Sequence, residues 1–411
     1  MEPLPRLRAI DAFPVEESGG TYLALRDNEG YSNQIVFLSP IDALIAGCFD
    51  GQTTEAEAAV RLAGQVGAKE FPISRIRDLQ KVLDDNLLLE NERFRDAHEA
   101  VLKAFRDGPE RPAHLAGSSY PDKIKSLTRD LDGYFSLEKG PGDAGELNSE
   151  KPLTGLVSPH IDFNRGKATY AWAYREILRS GLADLTVILG VAHQTPGTPF
   201  VITDKDYGTP FGPAKTDIEM AKSLCKKLPF DARMDELTHR TEHSIEFQAV
   251  YLKHCANRLG VDGEKKILPI LCSSYDLEGN DPGDRTRAFI DTLSDLLASY
   301  SGSVCLLAGV DFAHIGPRFG DKEPAVGKFL EKTIREDKAS LELLSAQDPK
   351  GFLESVQFDN NARKVCGVSA LYAFSEIHQR LFPKAKGNTL HYDHAADPAG
   401  GEVGFAAQAF R

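Results

Sequence analysis

Three apolar runs in this chain each stop at a histidine, and this repeated pattern constrains the fold more than any other feature. Leu156 and Val157 lead through Ser158 and Pro159 to His160. Leu185–Gly190 leads through Val191 and Ala192 to His193. Val304–Val310 leads through Asp311, Phe312 and Ala313 to His314. Short continuous apolar runs bounded by turn residues are the signature of strands buried on both faces. In open α/β sheets, ligands bind just beyond the carboxyl ends of such strands. The chain has only 11 histidines, so three of them at strand ends point to one sheet edge as the place for chemistry.

The segments between these runs read as helices. Ala168–Ser180, Asp217–Lys227, Glu242–Leu259, Arg285–Tyr300, Val326–Glu336, Lys338–Ser345 and Gly367–Leu381 space their apolar residues helically. Lys266–Cys272 adds a strand, Phe200–Asp204 a short one, and Leu390–Phe410 reads as two strands around a Gly-rich turn. Strands alternating with helices predict an α/β fold: one open, mostly parallel sheet with helices on both faces. Ahead of it, Asp122–Phe135 reads as a helix and Glu138–Lys151 as an exposed polar loop.

The first hundred residues follow a different pattern. Thr21–Arg26 and Gln34–Leu38 read as strands. Ser39 and Pro40 then supply the favoured N-cap and first helical residue. A second helix begins at Thr53 or Thr54, a third spans Ser74–Asp84, and Leu87–Leu89 reads as a strand. This predicts a small winged-helix-like α+β domain over residues 1–105. Phe94–Phe105 closes it as a helix, and the breaker cluster Asp107–Pro112 separates it from a second domain over 106–411.

The net charge of −13 argues against a nucleic-acid or anionic-membrane surface, which needs clustered Lys and Arg. No stretch approaches the roughly 20 apolar residues of a membrane span. The N-terminus M-E-P-L-P-R-L-R has no apolar signal core, so the expectation is a cytoplasmic protein. Six scattered cysteines contain no C-x-x-C pair, which indicates neither a structural zinc site nor a disulfide framework.

His160, His193 and Cys366 form the candidate ligand set, because imidazole and thiolate suit iron, copper or zinc. Cys366 stands where a helix begins, a position that lowers a thiol's pKa. Spacing does not bring the three together, and each residue taken alone reads equally as structural. Asp311 and His314 read either as an oriented general acid/base pair or as a turn with a capping Asp. Glu242, His243 and Glu246 crowd the start of a long helix, with His243 and Glu246 on one face at i, i+3; a carboxylate beside an imidazole there reads as a proton relay or as an outer support of a metal-binding histidine, or else as acidic helix-start residues. The H-E-x-x-H zinc pattern is absent there: Ser244 and Phe247 occupy its second and fifth positions.

Two resemblances sharpen this reading. FLSPIDALIAGCFDGQTTEAEAAVRL with LQKVLDDNLLLENERF resembles a PqqD-like peptide-recognition domain. That implies a docking surface for a peptide or partner protein built on strand addition; the alternative is a helical cap over the main domain. From about Arg111 to Phe410 the chain resembles the Memo family (AmmeMemoRadiSam system protein B), which is similar in fold to class III extradiol dioxygenases. The matching stretches include GLVSPHIDFNRGKATYAWAY, ILGVAHQTP, EHSIEFQAVYL, DFAHIGPRFG and CGVSAL. This resemblance implies a transition metal, iron or copper, held by His160, His193 and Cys366, with Asp311 and His314 close by. It also implies radical-SAM or AMMECR-type partners. The chain departs from the family pattern at three places: Gln194 replaces a second histidine, Val368 replaces an arginine, and Asp162 adds a carboxylate. Loss of an arginine weakens recognition of an anionic substrate. The expected function is a metal-dependent oxidoreductase or dioxygenase-like activity on a small substrate. The rivals are a non-catalytic binding module and metal delivery or buffering.

Overall fold

The computed structural model describes residues 2–17, 20–145, 147, 152–194, 196–261, 265–274, 276–278, 281–397 and 400–411. Parts of the expected Glu138–Lys151 loop and of the C-terminal Gly-rich turn lie outside these residues. The chain forms two compact units, Met1–Asp107 and Gly108–Arg411.

In the first unit, Asp11–Glu17, Gly20–Arg26 and Val36–Leu38 make an antiparallel sheet, and Arg6–Leu7 pairs with Leu89–Glu90. Helices Pro40–Ala46, Glu55–Val66, Ile73–Asp85 and Glu92–Asp107 accompany it. Ser39 caps the first helix, and Thr54 with Glu57 forms a reciprocal capping box on the second. Ile45, Leu62, Ile76 and Leu83 meet in a core of their own.

The second unit is a mixed α/β structure. Among the described residues its main sheet runs in the order Lys215–Thr216, Lys266–Cys272, Leu185–Val191, Val304–Gly309, Gly155–Ser158, Gly401–Phe410, His314–Ile315. The first five are parallel; the last two enter antiparallel, as do Phe200–Ile202 and Gly387–Asp397 on their neighbours. The mostly parallel sheet predicted from sequence is therefore a parallel centre with an antiparallel flank. The C-terminal hairpin causes this, since its return strand pairs directly with Gly155–Ser158.

The central strands are buried throughout, and alternate residues feed two cores. Val187, Leu189, Leu306 and Ala308 pack on one side with Phe289, Leu371 and Phe374 from helices Asp284–Ala298 and Val368–Leu381. Ile188, Leu307 and Leu156 pack on the other with Tyr174 and Tyr251 from helices Phe163–Ser180 and His243–Leu259. Helices thus cover both faces. The expected pair of helices before residue 345 is one helix, Gly327–Ser345. No helix of the described residues is long and apolar enough to cross a membrane.

Two glycines let the His243–Leu259 helix reach the sheet edge. A Cβ at Gly190 would stand 2.6 Å from Ile245 and from Ser244 Oγ, and one at Gly309 would stand 2.7 Å from the Ser244 carbonyl. The close approach lets Ser244 Oγ accept from the Val191 N–H at 3.0 Å and donate to the Val191 carbonyl at 3.0 Å. Gly190→Ala is expected to destabilise the second unit by about 1–3 kcal/mol through overpacking. Gly133→Ala, in an exposed helical position with nothing near its Cβ, is expected to stabilise by about 0.5–1 kcal/mol. Thermal unfolding of both variants checks the contrast; a neutral Gly190→Ala would remove this account of the helix approach.

Candidate metal centre

The strands ending in histidine are adjacent and in register. Gly309 pairs with Ser158 and Ala308 with Leu189, so His160, Asp311 and His193 all emerge at the carboxyl edge of three neighbouring strands. Each then acquires a fixed orientation. The His160 N–H donates to Asp311 Oδ1 at 3.0 Å, and its Nδ1 lies 3.0 Å from the Gly309 carbonyl. A carbonyl only accepts, so Nδ1 carries the proton and Nε2 keeps its lone pair. His193 is held likewise: Glu242 lies 3.0 and 3.1 Å from its Nδ1 and accepts its backbone N–H at 3.0 Å. Cys366 Sγ stands 3.4 Å from His160 Nε2 and 3.5 Å from the Asp311 carbonyl. One ligand-type atom from each of His160, His193 and Cys366 lies within 4.8 Å of the others.

Burial sets the protonation states. It holds the His160 pKa well below the usual value, helped by neighbouring His193 and His243. At His193 burial disfavours charge, but Glu242 outweighs it and the pKa stands well above normal. Burial pushes the Cys366 thiol up while His193 pulls it down. Burial also pushes the Asp311 carboxyl up to about 7.

The remaining sequence candidates divide. The His243 ring stacks on His193 with centroids 4.6 Å apart and meets His160 edge-on at 5.1 Å. Its Nδ1 lies 3.1 Å from Glu242 Oε1, so one carboxylate aligns both rings. Asp311 Oδ2 sits 3.7 Å from His160 Nε2. His314 starts the next strand; its Nδ1 donates to the Phe312 carbonyl at 3.0 Å and its ring packs on Phe319. Burial lowers the His314 pKa to about 4.

Glu246 is not part of this cluster. It is fully buried and pairs with Arg111, and it accepts from the Tyr120 hydroxyl and from the N–H groups of His114 and Leu115 at 3.1 and 2.9 Å. Its spacing from His243 put both on one helix, but its carboxylate is saturated elsewhere. Asp162 caps the Phe163–Ser180 helix and bonds Arg165 Nε at 2.5 Å. Gln194 donates to Thr241 at 3.1 Å.

Glu242 is the residue that the sequence reading passed over in its site set. A signal existed, since glutamate is an uncommon N-cap, yet it stands there and bonds the N–H groups of His243 and Ser244. The loop delivering Cys366 was equally hidden. Asn361 and Lys364 adopt left-handed conformations with φ of 55° and 54°, which cost a non-glycine residue about 1–2 kcal/mol each. The Asn361 side chain bonds both the N–H and the carbonyl of Val365, at 2.8 and 3.1 Å. Buried Arg363 bonds Asp337 Oδ1 at 2.6 Å and Ser340 at 2.6 Å, and its carbonyl accepts the His314 N–H at 2.8 Å. The Cys366 loop and the Asp311–His314 loop are thereby tied together.

A family model described as Memo-like protein matches residues 111–408. The chain belongs to the Memo-like family. A MEMO1 family protein of Aquifex aeolicus is 28% identical over 99% of both chains. One from Methanopyrus kandleri is 28% identical over 74% of this chain and 99% of its own. A third, from Thermococcus onnurineus, is 29% identical over 72% of this chain and 98% of its own. The Memo-like match thus covers the strands and loops that carry His160, His193, Asp311, His314 and Cys366, and it begins at Arg111.

That arginine supports this Memo-like centre from below. Its Nε donates to the His239 carbonyl at 2.8 Å and its Nη2 to the Glu242 carbonyl at 2.9 Å. Arg111→Met leaves Glu246 buried without its cation and is expected to cost about 3–5 kcal/mol. Adding Glu246→Leu is expected to return part of that stability, because no buried charge remains. Urea denaturation of the single and double variants checks both. Two additive losses would contradict the pairing.

Proposed function

We propose that the Memo-like unit is a metal-dependent oxidoreductase acting on a small substrate. The observation that carries this reading is the convergence of His160, His193 and Cys366, with each imidazole oriented through its Nδ1, His160 by the Gly309 carbonyl and His193 by Glu242. Two neutral imidazoles and a thiolate fit iron or copper by softness. Such a metal, when bound, supplies redox and Lewis-acid chemistry at the sheet edge. Glu242 orients His193, and Gly309 orients His160, as outer partners of metal-binding histidines do. Asp311, with a carboxyl titrating at about 7, holds or releases a proton at Oδ2 beside His160. His243, aligned by Glu242, extends the imidazole wall of the site. His314, held neutral by burial, is positioned as acid/base. Metal delivery or buffering rests on the same ligands and is distinguished by exchangeable metal without turnover.

We further propose that the first unit is a winged-helix-like, PqqD-like docking domain for a peptide or a radical-SAM or AMMECR-type partner. Its sheet ends in Val36–Leu38, paired on one side only among the described residues. Ile35 just before that strand, Phe37 on it, and Ile41 and Leu44 on the following helix are exposed. An open strand edge beside apolar side chains is suited to strand addition.

Elemental analysis of protein purified without an affinity tag tests the metal reading. Iron or copper is expected in wild type and absent from His160→Ala combined with Cys366→Ser. Glu242→Gln is expected to retain the ligands but weaken metal affinity roughly 10–100-fold. Wild-type protein that takes up neither metal, or a double variant that keeps it, would sink the reading. Deletion of residues 1–105 is expected to abolish partner recovery in a pull-down while leaving metal content unchanged.

A further inference from the structure

A cavity of about 300 Å³ opens beside Cys366, at the small end of the size range of ligand pockets. It lies at the carboxyl ends of the Leu185–Val191 and Lys266–Cys272 strands and against the start of the Val368–Leu381 helix. Val191, Leu277 and Val368 give it apolar walls. Val368 stands where the family resemblance leads one to expect arginine, so the side chain there adds hydrocarbon instead of charge.

Its polar part is built to meet an anion. Ser369 lines the cavity, is 7% exposed, and its hydroxyl has no hydrogen-bond partner among the described residues. A hydroxyl is a donor as well as an acceptor, so a ligand that accepts from it gains a hydrogen bond. Ser369 also belongs to the first turn of a 14-residue helix that no side chain caps. Free N–H groups and the positive end of the helix dipole favour an anion there. Among the described residues, no Asp or Glu lines the cavity, and the one charged side chain at its wall is Lys364. Lys364 already bonds Asp321 at 2.6 Å and the Ala362 carbonyl at 3.1 Å, so Ser369, at the first turn of the helix, is the buried lining residue with a donor to offer.

We propose that this cavity binds a small aliphatic carboxylate, its head at Ser369 and the first turn of the Val368–Leu381 helix, its hydrocarbon body against Val191, Leu277 and Val368. The assignment rests on the proposed metal-dependent site, because it names a substrate class for that site. Its test is run on metal-stripped protein, so failure of one does not mimic failure of the other.

Titration of metal-stripped full-length protein with pentanoate, its neutral analogue pentanamide and inorganic phosphate, followed by calorimetry or ligand-observed NMR, decides it. Pentanoate is expected to bind at least ~10-fold more tightly than pentanamide, the scale of a hydrogen bond to a charged group. Ser369→Ala is expected to weaken pentanoate by a similar factor. Gln357→Glu, a change at a half-buried lining residue, is expected to abolish binding by opposing carboxylate with carboxylate. Equal affinities for pentanoate and pentanamide, or wild-type affinity in both variants, would overturn the proposal. Phosphate binding without pentanoate binding would overturn the carboxylate assignment.

Discussion

The buried ion pair between Arg111 and Glu246 is the interaction on which the site geometry depends. Taking two charges out of water costs several kcal/mol per ion, and the cost is offset only where every donor and acceptor is used. Here they are. The guanidinium reaches Glu246 and the carbonyls of Pro112, His239 and Glu242, and it lies over the Tyr207 ring at 5.0 Å. Glu246 takes hydrogen bonds from Tyr120, His114 and Leu115 in addition. His239 closes the network, bonding Tyr207 at 2.6 Å and the Val201 carbonyl at 3.0 Å. The turn before the His243–Leu259 helix is therefore rigid where Glu242 must be rigid.

From that turn the order of dependence runs outward. Glu242, 4% exposed, fixes the orientation of His193 and aligns His243 against it. Gly190 and Gly309 let the same helix sit close enough for this. On the opposite wall, the pair of Asp337 with Arg363 ties the strained Cys366 loop to the Asp311–His314 loop. The sheet edge delivers His160 and His193, the helix start orients His193 through Glu242, and the stapled loop delivers Cys366. Metal capture at such a point couples to loss of the thiol proton, and the adjacent His193 already draws the Cys366 pKa downward against burial.

Much of this was legible in the residues because buried parallel strands must be continuous apolar runs. Leu185–Val191 and Val304–Gly309 could be read almost to their ends for that reason. Elements that break the rule were missed or misread. Asp11–Glu17 contains a proline and three acidic residues, yet forms a strand. Gly327–Ser345 was read as two helices because the Glu336–Lys338 stretch is charged; Asp337 is in fact buried against Arg363. The i, i+3 spacing of His243 and Glu246 was correct as helix geometry. It carried no information about Arg111, 135 residues upstream, which takes the carboxylate away from the site. Long-range pairing of that kind leaves no local signal, whereas Glu242, an unusual cap beside a histidine, did leave one.

The central claim is that His160, His193 and Cys366 converge to hold one transition metal ion. The most direct measurement is anomalous diffraction at the iron and copper edges from crystals of metal-loaded protein. The account expects one strong peak at roughly 2.0–2.4 Å from His160 Nε2, His193 Nε2 and Cys366 Sγ, ordinary distances for such ligands. A peak held by Glu242 and His243 without Cys366, or no peak at the sheet edge in fully loaded crystals, would contradict it.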